Sequence, residues 1–353
     1  MAKPVGIGMV GSGFIADRYL AGIGYVADAQ VVANASTGSE RGAEFSNRHG
    51  IDRTYDSMSE LCADPAVQLV VIALPNQLPL EAVKAAAGAG KGVLCTKPLG
   101  RNAAEAAEML RLVRAAGVFH GYLENEVFSP DVMKLQSMVA SGAMGPVLTM
   151  RAREAHSGPH APHSWDAEMA GGGAFLDMGC HCIEAARFVF GKDALVREVF
   201  AWGATLGHQD RTIGEDNAIA ILRFEDERTA TIEASWTAKG GIEVRNEIWC
   251  EGGRIVHDLS STPIKAFLME SVGYLAEKAD TESGWVFPVA DETRVAGYDE
   301  QFRHFVECFA SGTTPRETFE DGYIVNCIID AAYRSMKSGH WETVETDALV
   351  AAR

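Results

Sequence analysis

Gly11-Ser12-Gly13-Phe14-Ile15-Ala16 follows an apolar run, Val5–Val10, and opens a helix-like stretch. In a strand–turn–helix the first glycine serves the tight bend and the second lets backbone approach a pyrophosphate. A third small residue lets helix and strand pack closely. The helix start then offers N–H groups and partial positive charge to phosphates. Gly11, Gly13, Phe14 and Ile15 are therefore the candidate dinucleotide cradle. An NAD site usually carries an acid about 20 residues on, at the end of the second strand, for the ribose 2′-OH. Here that stretch reads Asn34-Ala35-Ser36-Thr37-Gly38-Ser39-Glu40-Arg41, with no acid at the strand tip. Ser36 and Thr37 offer hydroxyls to either a hydroxyl or a phosphate, and Arg41 answers a 2′-phosphate from the helix start. The expected cofactor is NAD(P), tipped toward NADP.

A second group is the segment Arg151–Asp166, where His156, His160 and His163 put three of the ten histidines within eight positions, beside Trp165 and two arginines. Hydroxyl-rich ligands need several short polar contacts and one flat apolar face. Arg153, His156, His160 and Trp165 are thus candidate contacts for a sugar-like small molecule. No metal is expected. The prolines between these histidines fix no shared face, and Cys180 and Cys182 flank His181 too closely for tetrahedral ligand spacing. Asn125 stands where the first half hands over to the second, and its amide could reach nicotinamide or substrate, or cap its own loop. Trp236 and Arg245 join the candidates only if their strands face inward.

The elements that must position these groups fall into two rhythms. Val5–Val10, Gln30–Ala35, Leu69–Leu74, Gly92–Thr96 and Phe119–Leu123 read as buried strands. Between them lie helical Phe14–Ile23, Ser39–Arg48, Pro79–Ala89 and a stretch capped by Asn102 that Gly117 stops. Buried strands interleaved with helices imply a parallel sheet covered on both faces. Beyond about residue 123, Val147–Ala155, Val196–Gly203, Asn217–Phe224, Thr229–Trp236, Val244–Cys250 and Arg254–Asp258 cluster as strands. The link Glu225–Arg228 reads as a hairpin, and Gln301–Ala310 and Gly322–Lys337 as closing helices. The spacing predicts a nucleotide-binding α/β domain over 1–123 and an α+β domain, mainly antiparallel, over 124–353.

The 353 residues carry 31 Lys+Arg against 48 Asp+Glu, a formal charge of −17. Such a surface repels phosphate backbones and anionic lipid, so neither nucleic acid nor membrane is an expected partner. Seven cysteines form no disulfide framework, no signal segment opens the chain, and no apolar run reaches membrane length. A soluble, cytoplasmic protein is expected.

Cys95-Thr96-Lys97-Pro98-Leu99 ends a strand on the edge where α/β folds take ligands, and Gly171-Gly172-Gly173-Ala174-Phe175-Leu176-Asp177-Met178-Gly179-Cys180-His181 lies in the second half. With the glycine turn, these segments resemble the glucose–fructose oxidoreductase / inositol dehydrogenase / MocA family along the whole chain. Pro75-Asn76, Ser141–Gly145, Phe319–Gly322 and Ala331–Ser335 are also similar to it. The resemblance implies a Rossmann domain joined to an α+β domain with an open, mainly antiparallel sheet. It implies oxidation or reduction of one carbinol of a sugar, cyclitol or related polyol with NAD(P). It adds Leu74, Pro75, Asn76, Lys97 and Asn125 to the cofactor contacts, and Lys97, Asp177 and His181 as catalytic and substrate-binding residues. Two departures stand out: Thr96 replaces the glutamate of the family's E-K-P, and Pro79 replaces a histidine.

Taking a hydride from a carbinol requires the hydroxyl proton to leave as the carbonyl forms. A histidine suits this, since the unperturbed side chain titrates near 6.5. His181 is the expected base, Lys97 the group that stabilises the developing alkoxide or passes the proton, and Asp177 a substrate ligand or orienter of the histidine. Alternative readings are a redox-neutral, nucleotide-dependent glycoside-cleaving enzyme and a nucleotide-sensing regulator. An open sheet needs covering, so a homodimer or homotetramer is expected.

Overall fold

The structure is a computed structural model that describes residues 3–36, 38–259, 264–273, 277–279, 281–346 and 349–350. Its first unit comprises Met1–Phe128 with Ala296–Asn326, and its second Ser129–Val295 with Cys327–Asp347.

The first unit opens with β1 (Val5–Val10), α1 (Phe14–Ile23), β2 (Ala29–Ala35), α2 (Ser39–His49), β3 (Thr54–Tyr55) and α3 (Met58–Ala63). It continues through β4 (Leu69–Ile72), α4 (Pro79–Gly88), β5 (Gly92–Thr96), α5 (Ala103–Ala116) and β6 (His120–Leu123). The strands lie in the order β3-β2-β1-β4-β5-β6 with every pairing parallel. β1, β4 and β5 are buried at every residue, as strands covered on both faces must be. Order reverses between β1 and β4, which places the ligand crevice beyond their carboxyl ends. The expected Rossmann architecture is thus present. β3 and α3 were not expected, although Ser57 and Glu60 form a reciprocal cap: Ser57 Oγ accepts the Glu60 N–H at 3.2 Å and donates to Glu60 Oε2 at 3.0 Å.

The second unit contains α6 (Pro130–Ala140), β7 (Val147–Ala155), α7 (Ala167–Ala170), α8 (Ala174–Asp177), α9 (Gly179–Phe190), β8 (Val196–Ala204) and β9 (Asn217–Phe224). Then come β10 (Thr229–Ser235), β11 (Glu243–Cys250), β12 (Gly253–Asp258), β13 (Ala266–Leu268), β14 (Gly284–Val286), α10 (Glu292–Val295) and β15 (Glu342–Thr343). Its main sheet runs β12-β11-β7-β10-β9-β8-β15, antiparallel except for the β7–β10 pair. The anticipated hairpin joins β9 to β10, with Glu227 at φ 68 in the turn. Ala230, Ile232 and Ala234 are buried while Thr229, Thr231 and Glu233 are not, the period-two pattern of a strand with one covered face. α8 and α9 lie on that covered face.

α11 (Tyr298–Ser311) belongs to the first unit, and α12 (Phe319–Ser338) passes from the first unit to the second after Asn326. The boundaries differ from the two-block expectation of 1–123 and 124–353, because α11 packs on α1. Tyr19 meets Tyr298 and Phe302 edge-on, with ring centroids 6.0 and 5.3 Å apart. Gly22 and Gly121 leave the room this packing needs: a Cβ on Gly22 would lie 2.7 Å from the Tyr298 carbonyl oxygen, and one on Gly121 2.3 Å from the Phe305 ring.

Candidate functional site

In the first unit the glycine turn links three strands. The Gly11 N–H donates to the Ala35 carbonyl at 2.9 Å, and the Ala73 N–H donates to the Val10 carbonyl at 2.8 Å. Gly11 has φ 120, and a Cβ there would lie 2.2 Å from the Ala73 carbonyl oxygen. Only glycine fits. A Cβ on Gly13 would meet nothing within 4 Å. Gly13 is the N-cap of α1 and contributes no side chain to cap it, so open space lies over the start of a ten-residue helix. A dinucleotide pyrophosphate fits this arrangement, with Gly11, Gly13, Phe14 and Ile15 as its backbone cradle.

Around the turn, Asn34 Nδ2 donates to the carbonyls of Met9 at 3.1 Å and Gly11 at 2.9 Å. This clamp is a feature the sequence reading missed. Ser36 is buried and shares a 2.8 Å hydrogen bond with the Ser12 hydroxyl, so the tip of β2 is tied to the glycine turn. Arg41 is exposed on α2, and Thr37 lies outside the described residues. Leu74 is buried at the end of the β4 segment, with Pro75 and Asn76 half-buried behind it. Lys97 is half-buried immediately after β5, and its peptide bond to Pro98 is cis. Thr96, standing for the family's glutamate, accepts a 2.7 Å hydrogen bond from the Tyr19 hydroxyl. Burial holds that phenol far above its usual pKa, so the position is neutral. Asn125 donates through Nδ2 to the Ala296 carbonyl at 2.9 Å, which makes it a cap between two segments of the first unit.

In the second unit Asp177 ends α8 and His181 lies in the first turn of α9, so that a helix begins between them. His181 is buried, with its N–H on the Met178 carbonyl at 3.1 Å. Asp177 Oδ2 accepts a 3.0 Å hydrogen bond from Trp236 Nε1, and His156 Nε2 lies 3.9 Å from the same oxygen. His156 Nδ1 accepts the Gly158 N–H at 2.9 Å, so a neutral His156 carries its proton on Nε2, the nitrogen facing Asp177. Trp236 is fully buried, as a core residue would be, and also orients the carboxylate.

The other loop residues separate. Trp165 is buried against Trp236 at 5.3 Å and His208 at 4.9 Å, beneath the Arg211 guanidinium at 3.8 Å. It forms the wall behind the Asp177 anchor. His160 is exposed, its Nε2 3.7 Å from Glu277 Oε1. Arg153 departs from the expected substrate contact. Strand alternation puts Met150 and Ala152 in the core and Arg153 on the other face, where it pairs with Glu233 at 3.2 Å and Glu243 at 3.1 Å. Arg245 joins that same face through Glu247 and Asp258. All seven cysteines are buried and none forms a disulfide, Cys180 and Cys182 included, which fits small core residues.

Comparison with known proteins agrees with this geometry. Residues 5–122 match the GFO_IDH_MocA family, described as an oxidoreductase family with an NAD-binding Rossmann fold, and residues 132–256 match the GFO/IDH/MocA C-terminal domain. The chain is 30% identical over 340 residues to myo-inositol 2-dehydrogenase of Thermotoga maritima, covering 94% of this chain and 96% of that one. Among solved structures it is similar to GenD2 from gentamicin A biosynthesis in complex with NAD, with TM-score 0.92, 26% identity and 98% of each chain covered. It is also similar to levoglucosan dehydrogenase in complex with NADH and L-sorbose, with TM-score 0.82, 25% identity, and 98% and 100% covered. A glycine turn that fits a dinucleotide, a sheet unit that carries Asp177 anchored four residues ahead of His181, and matches over both halves lead to one conclusion: this chain belongs to the GFO/IDH/MocA family and is an NAD-binding dehydrogenase.

Proposed function

We propose that this protein oxidises a ring carbinol of a sugar, glycoside or cyclitol to a ketone, or runs the reverse reaction, with Lys97, Asp177 and His181 as its catalytic residues. The observation that carries this reading is Asp177, held by Trp236 at 3.0 Å four residues ahead of His181. A carboxylate fixed in one orientation is suited to hold a substrate hydroxyl, and an imidazole on the next turn is suited to take its proton. The names of the relatives support the substrate class, since myo-inositol and levoglucosan are both polyhydroxylated rings.

When bound, the dinucleotide supplies the hydride acceptor. The carbinol C–H leaves as hydride and the O–H proton goes to a His181 ring nitrogen, so the carbonyl forms with charge balanced. The Lys97 ammonium stabilises the alkoxide oxygen as the proton departs. Thr96 and Tyr19 leave no carboxylate at the residue preceding Lys97, so its charge is not neutralised from that position. Arg41, exposed on α2, is the group that favours a 2′-phosphate, and NADP is the preferred form in this reading.

The test follows nicotinamide absorbance with purified protein, NAD⁺ or NADP⁺, and a panel of inositols, sugars and anhydrosugars. Lys97→Ala and Arg41→Ala are run alongside. Lys97→Ala is expected to lower kcat by at least about a hundredfold. Arg41→Ala is expected to raise KM for NADP⁺ about tenfold and leave that for NAD⁺ unchanged. Cleavage of a glycoside without net reduction of nucleotide would replace this reading with redox-neutral chemistry.

A further inference from the structure

The glycines before Asp177 make room for two residues from elsewhere in the second unit. A Cβ on Gly172 would lie 2.0 Å from the Tyr333 hydroxyl, and one on Gly173 would lie 2.1 Å from the Glu215 carbonyl oxygen. Tyr333 comes from α12 and Glu215 from the approach to β9. Both are half-buried, and neither belongs to the Asp177–His156–Trp236 group.

Together they engage three successive N–H groups of the segment. The Tyr333 oxygen accepts from Gly173 at 3.2 Å, the Glu215 carbonyl accepts from Ala174 at 2.8 Å, and Glu215 Oε1 accepts from Phe175 at 2.9 Å. Tyr333 in turn donates its hydroxyl proton to Glu215 Oε1 at 2.9 Å. Burial and the neighbouring Glu215 charge push the phenol well above its ordinary range, so it remains the donor of that pair. From here the backbone bonds run on to the reacting groups. Asp177 N–H reaches Gly173 O at 3.1 Å, Met178 N–H reaches Ala174 O at 2.9 Å, and His181 N–H reaches Met178 O at 3.1 Å. The next residue extends the frame, because the Asp216 carbonyl accepts the Trp236 N–H at 2.8 Å and Trp236 holds Asp177.

We propose that Glu215 and Tyr333 are positioning residues for Asp177 and His181, setting the backbone from which both side chains are aimed. The inference rests on the assignment of those two residues to the reaction. A displacement of about 1 Å at a reacting group can cost a hundredfold in rate. Loss of the frame therefore lowers kcat and leaves nucleotide binding intact.

The experiment compares Tyr333→Phe, Glu215→Ala and Glu215→Gln in the full chain by two readouts. The first is steady-state kinetics with whichever carbinol of the inositol and anhydrosugar panel the native protein turns over. Tyr333→Phe and Glu215→Ala are expected to lower kcat about ten- to a hundredfold with KM for the dinucleotide unchanged. Glu215→Gln, which keeps an acceptor for the Phe175 N–H, recovers most of that loss. The second is amide hydrogen exchange of the peptide spanning 173–181, which requires no turnover. Protection there is expected to fall in Tyr333→Phe and Glu215→Ala, with other peptides unchanged. Equal kcat in all variants, equal losses in Glu215→Gln and Glu215→Ala, or unaltered protection over 173–181 would each overturn the proposal. If the native protein turns over no carbinol, the catalytic assignment fails and exchange alone decides the frame. If Glu215→Ala does not fold, Tyr333→Phe and Glu215→Gln carry both readouts.

Discussion

His120 shows how one side chain couples the chemistry of a strand end to pH. It opens β6, and its Nδ1 accepts the Phe319 N–H at 3.2 Å where α12 begins. Burial, reinforced by the Arg114 charge and opposed by Asp321, lowers its pKa from 6.5 to about 4. The unfolded chain therefore takes up a proton before the folded one does. The stabilising contribution is complete above about 6.5 and is lost as pH falls toward about 4. Denaturant melts across that window are expected to show a loss on the order of 3 kcal/mol. His120→Gln, which keeps an acceptor for Phe319, is expected to flatten that part of the profile. A native profile already flat between those limits would contradict the assignment. At the same scale, Lys97, Asp177 and His181 stand out as candidates in the sequence because their residue types and local motifs single them out. The side chains that hold their surroundings do not. Trp236 lies 59 residues from Asp177, and Glu215 and Tyr333 lie 118 apart, so no local pattern announces either pair.

At the scale of elements, the two glycines of the first turn are expected to fail differently. Gly11→Ala forces a Cβ against the Ala73 carbonyl at a φ of 120, and is expected to cost on the order of 2 kcal/mol or more of stability. Gly13→Ala meets no protein atom within 4 Å, so the melting midpoint should hold. NADH affinity, read by fluorescence titration, should fall, since the methyl fills the space over the α1 N-terminus. A Gly13→Ala protein that melts early and binds normally would reverse this account. The elements themselves were read correctly where burial was complete or periodicity sustained, as in β1, α1, β5 and β10. Short pieces such as β3, β13, β14 and α8 have too few residues to show a period. α3 was within reach, because Ser57 and Glu60 spell its cap. α11 was recognised as a helix, but its place on α1 depends on Tyr19, Gly22 and Tyr298 meeting across the whole chain.

At the scale of the molecule, the outer face of the second unit's main sheet has two halves. On β8 and β9, Phe200, Trp202 and Ile219 are exposed at 37%, 50% and 45%, with Trp341 against Phe200 at 5.7 Å. On β7, β10, β11 and β12, Arg151, Arg153, Arg245 and Arg254 interleave with Glu233, Glu243, Glu247 and Asp258. Large exposed aromatics beside an ordered ionic ladder suit a self-complementary interface better than solvent. The protein is expected to scatter light as a dimer or tetramer at micromolar concentration, and Trp202→Glu to shift it toward monomer. A native monomer across that range would refute the interface. Among the described residues no helix is long and apolar enough to cross a membrane.

A ribosome completes the six strands of the nucleotide unit by Leu123 but must carry synthesis through Ser311 before α11 exists. At ordinary elongation rates that interval is roughly ten to forty seconds. Throughout it, Tyr19 lacks Tyr298 and Phe302, and Gly121 lacks the Phe305 ring that covers it in the finished fold. The nascent first domain thus emerges with an uncovered apolar seam, a surface for chaperones to shelter until the closing helix arrives.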